Sequence, residues 1–346
     1  MNLVKTKKKS KYKLKYIISL VIIYLSFSYT FYNMIKGSKA VSNEEFINIL
    51  VSSGNANILS KYKTTNIING TMKFLLNIDF TNPKSILNNS ILKYGSTKKE
   101  KTEATISISY NDDYSDMDEL KKVSDYIKDP NPKEIKKPLV YLYNTHQLEN
   151  YNNDNLEIYG ITPNVQMASY LLREKLDSMG ISTIVEDANM SNILASNNWN
   201  YAYSYQASAS LITDKKNKYP TLKYFIDIHR DSIPKSASTA SLNNKNYAKI
   251  LFVVGKDYNT WQDNYNFSNK LNDLLNTYYS GISRGIITKS GTGVNGIYNQ
   301  NLSPNCILIE VGGNENTIEE VYNTIEVLAD ILNKYISGAA KWKIKK

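Results

Sequence analysis

Alternating apolar runs and amphipathic stretches dominate the chain from residue 139 onward. Short apolar runs predict strands at 139–143, 181–185, 224–228, 250–254, 286–288 and 306–311. Amphipathic spacing predicts helices at 164–179, 199–212, 258–278 and 317–335, the first ended by Gly180 and the last opened by a Thr317-x-x-Glu320 capping box. Because helices alternate with strands, the pattern predicts an α/β domain with a mostly parallel sheet flanked by helices.

A different pattern marks the N-terminus, where residues 16–35 form an apolar run without any charge. A helix of this length spans the roughly 30 Å of hydrocarbon in a bilayer. Residues 1–15 hold seven lysines and no acid, so the positive-inside rule predicts a cytoplasmic basic tail at 1–15, a transmembrane helix at 16–35 and an extracytoplasmic remainder. A cleaved signal peptide is the alternative, but the run is longer than the roughly 7–15 apolar residues of such signals.

The segment between the anchor and residue 139 predicts two further regions. Residues 36–128 are interpreted as a small N-terminal stalk or docking domain, because no cluster of titratable groups stands out there. Residues 129–138 hold three prolines, which disfavour a helix and favour extended backbone. We therefore predict a linker at 129–138 and a catalytic domain at 139–346.

Charge and cysteine content exclude two classes of protein. The formal net charge is +10, but seven lysines lie in residues 1–15 and four in the last six residues, so the folded regions are close to neutral. A nucleic-acid-binding domain would carry its charge as a patch, so no nucleic-acid partner is expected. Cys306 is the single cysteine, so no intramolecular disulfide can form, and its apolar strand favours a core position over a nucleophilic one.

Polar side chains lie at the ends of three predicted strands. His146 and Glu149 follow the first strand, His229 follows the third, and Glu310 lies near the end of the sixth. If these strands are parallel neighbours, their carboxyl ends meet at one edge of the sheet, where ligands bind in α/β proteins.

Two histidines and a glutamate match the ligands of catalytic zinc, which takes three protein ligands and keeps one position open. We therefore predict a Zn²⁺ site formed by His146, Glu149 and His229, with Glu310 as the catalytic residue that takes a proton from water and passes it to the leaving amine. Hydrogen-bonded histidines at a sheet edge are the structural alternative, and Glu149 could instead only orient a histidine. The chain has no Gly-x-Ser-x-Gly elbow and no phosphate-binding loop. The glycine-rich stretch 290–296 is interpreted as a flexible active-site loop.

Six segments, in this order along the chain, resemble the stage II sporulation protein P (SpoIIP) family over about residues 138–335. They are Thr145-His146-x-x-Glu149, Ile226-Asp-Ile-His-Arg-Asp-Ser232, Phe252-Val-Val-Gly255, Ser283-Arg-Gly285, Asn295-Gly-Ile-Tyr-Asn-Gln300 and Glu310-x-Gly-Gly-x-x-Asn316. The resemblance implies a zinc amidase-like fold and a peptidoglycan hydrolase, an N-acetylmuramoyl-L-alanine amidase that is also associated with endopeptidase activity.

The same resemblance implies a place and partners. The family acts with SpoIID and SpoIIM in septal thinning and forespore engulfment, which implies a single-pass protein of the cell membrane whose C-terminal domain lies in the septal space between membranes. It implies His146 and His229 as metal ligands and Glu310 as the catalytic glutamate.

One departure from the wider amidase superfamily concerns the middle ligand. There the second ligand is a glutamate at the start of the helix after the first strand, where this chain has Thr162-Pro-Asn-Val165. Glu149 is our substitute, with Glu157 and Glu186 as lesser candidates.

Other predicted roles lie beside the metal ligands. Arg230, Asp231 and Asn295 are expected to contact substrate or to support the site, with an exposed Arg230–Asp231 ion pair as the alternative. The aromatic residues at 199, 201, 203 and 205 could stack on sugar rings or pack in the core. For the whole protein, a non-catalytic wall-binding scaffold that recruits other hydrolases is the competing function.

Overall fold

A computed structural model describes residues 126–152 and 162–338. The strands are β1 Val140–Tyr143, β2 Thr183–Val185, β3 Tyr224–Asp231, β4 Thr239–Leu242, β5 Lys245–Ala248, β6 Ile250–Gly255, β7 Ser283–Lys289 and β8 Cys306–Gly313. The α-helices are α1 Val165–Ser178, α2 Met190–Ser196, α3 Ser204–Lys218, α4 Lys235–Ser238, α5 Trp261–Tyr278 and α6 Ile318–Ile336. Short 3₁₀ turns lie at Tyr201–Tyr203 and Gln300–Leu302.

Six strands form one sheet in the order β2-β1-β3-β8-β6-β7. The first four strands are parallel to one another, and β6 pairs antiparallel with β8 and parallel with β7. The prediction of a mostly parallel sheet flanked by helices is therefore confirmed, with β6 and β7 reversed. The parallel order β1-β3-β8 brings the ends of the three strands with candidate chemistry to one edge.

Side-chain alternation along the strands places one core cluster and the candidate site on the same face of the sheet. Tyr141 and Tyr143 of β1, Phe225 of β3 and Cys306 of β8 form a buried cluster with Ile212 of α3. Counting by twos from Phe225 leads to Asp227 and His229, and from Cys306 to Leu308 and Glu310. The candidate residues thus continue the apolar face covered by α3.

The helix ends follow the sequence signals. Asn164 caps α1 by accepting the backbone N–H of Met167, and Gly180 follows the helix with φ +81°. Thr317 and Glu320 form the predicted capping box of α6. The helix predicted at 199–212 instead begins with the 3₁₀ turn and continues as α3 to Lys218.

Helices α2 and α4 and the β4–β5 hairpin were missed, and α4 has only four residues. Helix α2 is only seven residues long, with Asn189 as its cap. The β4–β5 hairpin is largely polar and turns at Asn243 and Asn244, both with positive φ, so it lacks the apolar alternation that reveals a half-buried strand.

Residues of the predicted linker form ion pairs with helix α1. Asp129 forms an ion pair with the buried Arg173 of α1, and Lys133 pairs with Glu174 and Asp177 of the same helix. Residues 126–138 contain no helix or strand, in agreement with their prolines. The domain boundary itself stays a prediction.

Several predicted regions lie outside the described residues, namely 1–15, 16–35, the greater part of 36–128, and Glu157. Within residues 126–152 and 162–338, no helix has both the length and the apolar character needed to cross a membrane.

Candidate metal centre

The ligand atoms of His146, Glu149 and His229 all lie within 4.8 Å of one another. Oε1 of Glu149 is 3.3 Å from Nδ1 of His146 and 3.3 Å from Nδ1 of His229. The two imidazole rings are 5.0 Å apart between centroids and steeply inclined. The carboxylate oxygen therefore lies between the two ring nitrogens.

The backbone explains how Glu149 reaches this position. Residues 146–149 form a turn in which the Glu149 N–H donates to the His146 carbonyl at 3.2 Å. The Glu149 carbonyl accepts the N–H of Val165, the first residue of α1, at 3.0 Å, and Oε2 accepts the backbone N–H of Arg230 at 2.8 Å. Oε2 is thus held by β3, and Oε1 faces the histidines.

The position of Glu149 relative to the start of α1 bears on the choice of the middle metal ligand. The superfamily glutamate is expected at this helix start, and the hydrogen bond to Val165 places Glu149 beside it although it precedes the helix in sequence. Glu186 is engaged elsewhere, because its carboxylate accepts the Tyr141 hydroxyl and the Ala188 N–H and pairs with Lys215.

Burial and neighbouring charges shift the pKa of Glu149 and the pKa of His229 in opposite directions. Burial alone raises the pKa of Glu149, but the charge of His229 and hydrogen bonding with both histidines lower it far below its usual value. Burial alone lowers the pKa of His229, but Asp227 and Glu149 raise it well above its usual value. Asp227 and Glu149 therefore both lie against the His229 ring.

Glu310 lies opposite His229 in the β3–β8 register. Because strand β3 continues to Asp231, both residues lie within strands rather than after them. Burial is the main reason that the pKa of Glu310 is raised to about 8; the charge of His229 lowers it, and those of Glu149 and Asp231 add to the rise. Its Oε2 is buried without a hydrogen-bond partner among the described residues, which is costly for a group with only a structural role.

The donor set fits zinc. Ligands about 2.1 Å from a tetrahedral zinc are separated by roughly 3.4 Å from each other, close to the two 3.3 Å separations at Glu149. Imidazole nitrogen with one carboxylate oxygen is a usual ligand set for this ion. His146, Glu149 and His229 are the residues that would hold it.

Arg230 supports the site from within. Its side chain is directed away from solvent, with the residue 6% exposed, and Nε donates to the Asn150 carbonyl at 2.9 Å while Nη1 donates to Ser232 at 2.9 Å. The alternative of an exposed ion pair with Asp231 is not what the structure shows, since Asp231 lies 2.8 Å from Arg284 of β7 instead. Roles of Arg230 and Asp231 toward substrate stay predictions.

Asn295 lies in the glycine-rich loop after β7. Its Oδ1 accepts the N–H groups of Ile297 and Tyr298, so it shapes the turn. The loop interacts with the end of β6, where Asp257 bonds Gly291 and Gly296. Leu251, the β6 residue paired with Glu310, lies at the other end of that strand. A substrate role for Asn295 stays a prediction.

The aromatic residues divide into two pairs. Tyr201 stacks on His146 at 4.9 Å between centroids, and Tyr205 contacts both histidine rings. Trp199 and Tyr203 stack on each other, and Tyr203 is 44% exposed. The first pair therefore packs against the two histidines, and Tyr203 of the second pair is exposed to solvent.

Cys306 is a buried core residue, as the sequence indicates. Burial raises the pKa of its thiol to about 12, and its sulfur contacts the Tyr143 hydroxyl at 3.4 Å.

Sequence reasoning missed Asp227, which is fully buried and lies 3.0 Å from Nε2 of His229. Its signal was available, because an acid two residues before a histidine on one strand lies on the same face.

The family model for stage II sporulation protein P (SpoIIP) matches residues 57–333. The chain belongs to the SpoIIP family. Stage II sporulation protein P of Bacillus subtilis (strain 168) is 34% identical over 222 residues, which cover 62% of this chain and 55% of that protein. The chain thus matches only about half the length of this SpoIIP relative.

A solved structure of the CwlD amidase from Clostridioides difficile in complex with the GerS lipoprotein is also similar. The match has 17% sequence identity and a TM-score of 0.38, and covers 57% of this chain and 98% of the other.

Proposed function

We propose that this protein is a zinc-dependent peptidoglycan hydrolase, an N-acetylmuramoyl-L-alanine amidase that acts in septal wall thinning and forespore engulfment. The observation that carries the proposal is the convergence of His146, Glu149 and His229 beside the partly buried Glu310, in a chain of the SpoIIP family. Zinc, when bound, supplies Lewis-acid chemistry at a carbonyl and makes water a stronger acid.

The residues of the chain bind the ion and transfer the proton. His146 and His229 offer ring nitrogens, and Glu149 offers Oε1 while the Arg230 N–H holds its Oε2. Glu310, one strand away from His229, accepts the proton of the attacking water and delivers it to the amine of the cleaved amide. The buried Oε2 of Glu310 has no hydrogen-bond partner within residues 126–152 and 162–338, which suits this role, because proton transfer needs an oxygen that is not already hydrogen-bonded.

We further propose the cell membrane as the location, with residues 16–35 as the anchor and the catalytic domain outside. SpoIID and SpoIIM are the proposed partners, and peptidoglycan is the proposed substrate. The support is the uncharged run, the basic residues before it, and membership in the family.

The test uses the full chain and its His146→Ala, His229→Ala and Glu310→Gln variants. Zinc content is measured after purification, and hydrolysis is followed on purified peptidoglycan with zinc and SpoIID present. We expect about one zinc per wild-type chain, loss of zinc in both histidine variants, and retained zinc without hydrolysis in Glu310→Gln.

The products identify the bond that is cut. An amidase frees the amino group of the alanine attached to the muramic acid lactyl group, whereas an endopeptidase cuts within the stem peptide with the same residues. Wild-type protein without stoichiometric zinc, or full biological activity of Glu310→Gln, would instead favour the non-catalytic scaffold.

A further inference from the structure

Asp227 is a buried carboxylate at the centre of β3. It is 0% exposed and is paired in register with Tyr143 of β1. Since residues two apart on a strand lie on the same face, Asp227 and His229 face the same side of the sheet. A buried carboxylate is costly unless its oxygens are engaged, so its partners define its role.

Both oxygens of Asp227 are directed to the two histidine-bearing segments. Oδ1 accepts the backbone N–H of Thr145 at 2.9 Å, and Oδ2 accepts the Thr145 hydroxyl at 2.7 Å. Oδ1 also lies 3.0 Å from Nε2 of His229. Thr145 directly precedes His146, so one carboxylate contacts the His229 ring and the backbone that carries the other histidine.

The contact with His229 assigns its two ring nitrogens. With Nε2 beside Asp227, Nδ1 faces Oε1 of Glu149 at 3.3 Å. Metal-binding histidines commonly direct their second nitrogen to a carboxylate, which fixes the ring orientation and tautomer. The 3.0 Å contact is not in line with the ring N–H, so Asp227 orients the imidazole through charge more than through a straight hydrogen bond.

The arrangement extends to α3. The Thr145 hydroxyl lies 2.8 Å from the Ser208 hydroxyl, which also accepts a hydrogen bond from the Asn299 side chain at 2.8 Å. Asn299 donates to the Tyr205 carbonyl as well, and the Tyr205 ring packs against both histidines. Ser208 and Asn299 therefore support Thr145 and Asp227 on the Nε2 side of His229, whereas Glu149 faces Nδ1.

We propose that Asp227 is the positioning residue of the metal centre, which aims Nδ1 of His229 at the ion and holds the His146 segment through Thr145. This inference rests on the proposed zinc function. A purely structural Asp227 would need only its two hydrogen bonds to Thr145, which an asparagine can partly replace; a positioning Asp227 also needs its charge beside His229.

The test compares the full-length wild type with Asp227→Asn and Glu186→Gln. Glu186 is the matched control, because it is also a buried carboxylate with two hydrogen bonds, one of them from a tyrosine hydroxyl. Zinc affinity is measured by competition with a chromogenic chelator, and the visible absorption of the Co²⁺-substituted proteins reports ligand geometry. We expect Asp227→Asn to bind zinc about 10–100-fold more weakly and to shift the Co²⁺ bands, with neither change in Glu186→Gln.

Circular dichroism decides whether Asp227→Asn is folded. If it is not, Thr145→Val takes its place, because it removes the hydroxyl bond to Oδ2 and keeps the side-chain shape; weaker zinc binding there supports the proposal. Zinc affinity and Co²⁺ bands equal to wild type in the folded variant would overturn it. A wild type that binds no zinc would overturn the proposed function itself, so the two failures are distinguishable.

Discussion

The two halves of the sheet differ in strand direction. The candidate metal ligands and Glu310 lie at the half with parallel strands, and the reversed half provides structural support. In the half formed by β2, β1, β3 and β8, parallel strands bring His146, Glu149, His229 and Glu310 to one edge. In the β6–β7 half the strands run the other way, so their carboxyl ends lead to the glycine-rich loop at the opposite edge. The position of a residue after a strand therefore predicts a site only when the direction of that strand is known.

The largest expected effect is in the parallel half and concerns activity alone. Glu310→Gln should reduce peptidoglycan hydrolysis by about 10²–10⁴-fold, the usual contribution of an acid–base residue. Stability to denaturant should equal or exceed that of wild type, because the change removes a buried carboxylate oxygen without a partner. Release of soluble fragments from peptidoglycan measures the activity.

Glu326→Gln is the control for this prediction, since Glu326 lies on α6 with its side chain 43% exposed. Its activity should match wild type. Equal activity of Glu310→Gln and Glu326→Gln would remove the functional distinction between the two halves.

The second effect concerns stability and tests the ion pair between Asp129 and Arg173 of α1. Asp129→Ala should lower the free energy of unfolding by about 3 kcal/mol, because it leaves the buried Arg173 without its bidentate partner. Because Glu174 also pairs with Arg173, we expect the loss to lie at the lower end of the range for a broken buried ion pair. Urea unfolding checks it.

Zinc content should be unchanged in Asp129→Ala, and Lys136→Ala serves as a surface control in the same segment. An unfolding free energy equal to wild type would show that residues 126–133 do not contribute to the stability of the catalytic unit.

The third effect belongs to the reversed half. An added methyl at Gly255 would lie 2.3 Å from the Gly296 carbonyl oxygen, so Gly255→Ala must push the loop away from β6. We expect a loss of about 1–3 kcal/mol in stability, typical of overpacking, with zinc affinity unchanged. Glu310→Gln is expected to reduce activity without loss of stability, whereas Gly255→Ala is expected to reduce stability without loss of zinc affinity. A large loss of zinc affinity would show that the two halves are coupled.

The smallest effect tests a helix that contacts both α1 and α5. Thr317→Ala removes the N-cap of α6 and should lower the free energy of unfolding by about 1 kcal/mol. Thr317→Ser keeps a capping hydroxyl and should retain most of that stability. Thermal unfolding separates the two variants. Equal losses would mean that the hydroxyl of Thr317 is not what stabilises the helix start.

The sequence predicted the elements well where apolar residues carry the signal, and poorly where they do not. All six strands of the sheet were found from apolar runs, because their residues are buried whichever way the strands run. For the same reason the reversal of β6 and β7 could not be predicted. Asn243 and Asn244 permit the turn of the β4–β5 hairpin, but its polar strands give no periodic signal.

For the site, the geometry of His146, Glu149 and His229 agrees with a set that could be chosen from residue type and strand position. The contact of Glu149 with the start of α1 could not be read from sequence, because it depends on a turn that brings the chain back to Val165. Asp227 was missed because its carboxylate interrupts an apolar strand without changing the strand pattern.

The separation of the ligands along the chain has a consequence for how the protein matures. Glu149 and His229 are 80 residues apart in sequence, so they meet only after β1 and β3 have paired. An unfolded chain offers no preformed pocket to a metal ion, and ion capture is therefore thermodynamically linked to folding. The concentration of available zinc would then set not only how much enzyme is active but also how much of the chain resists unfolding.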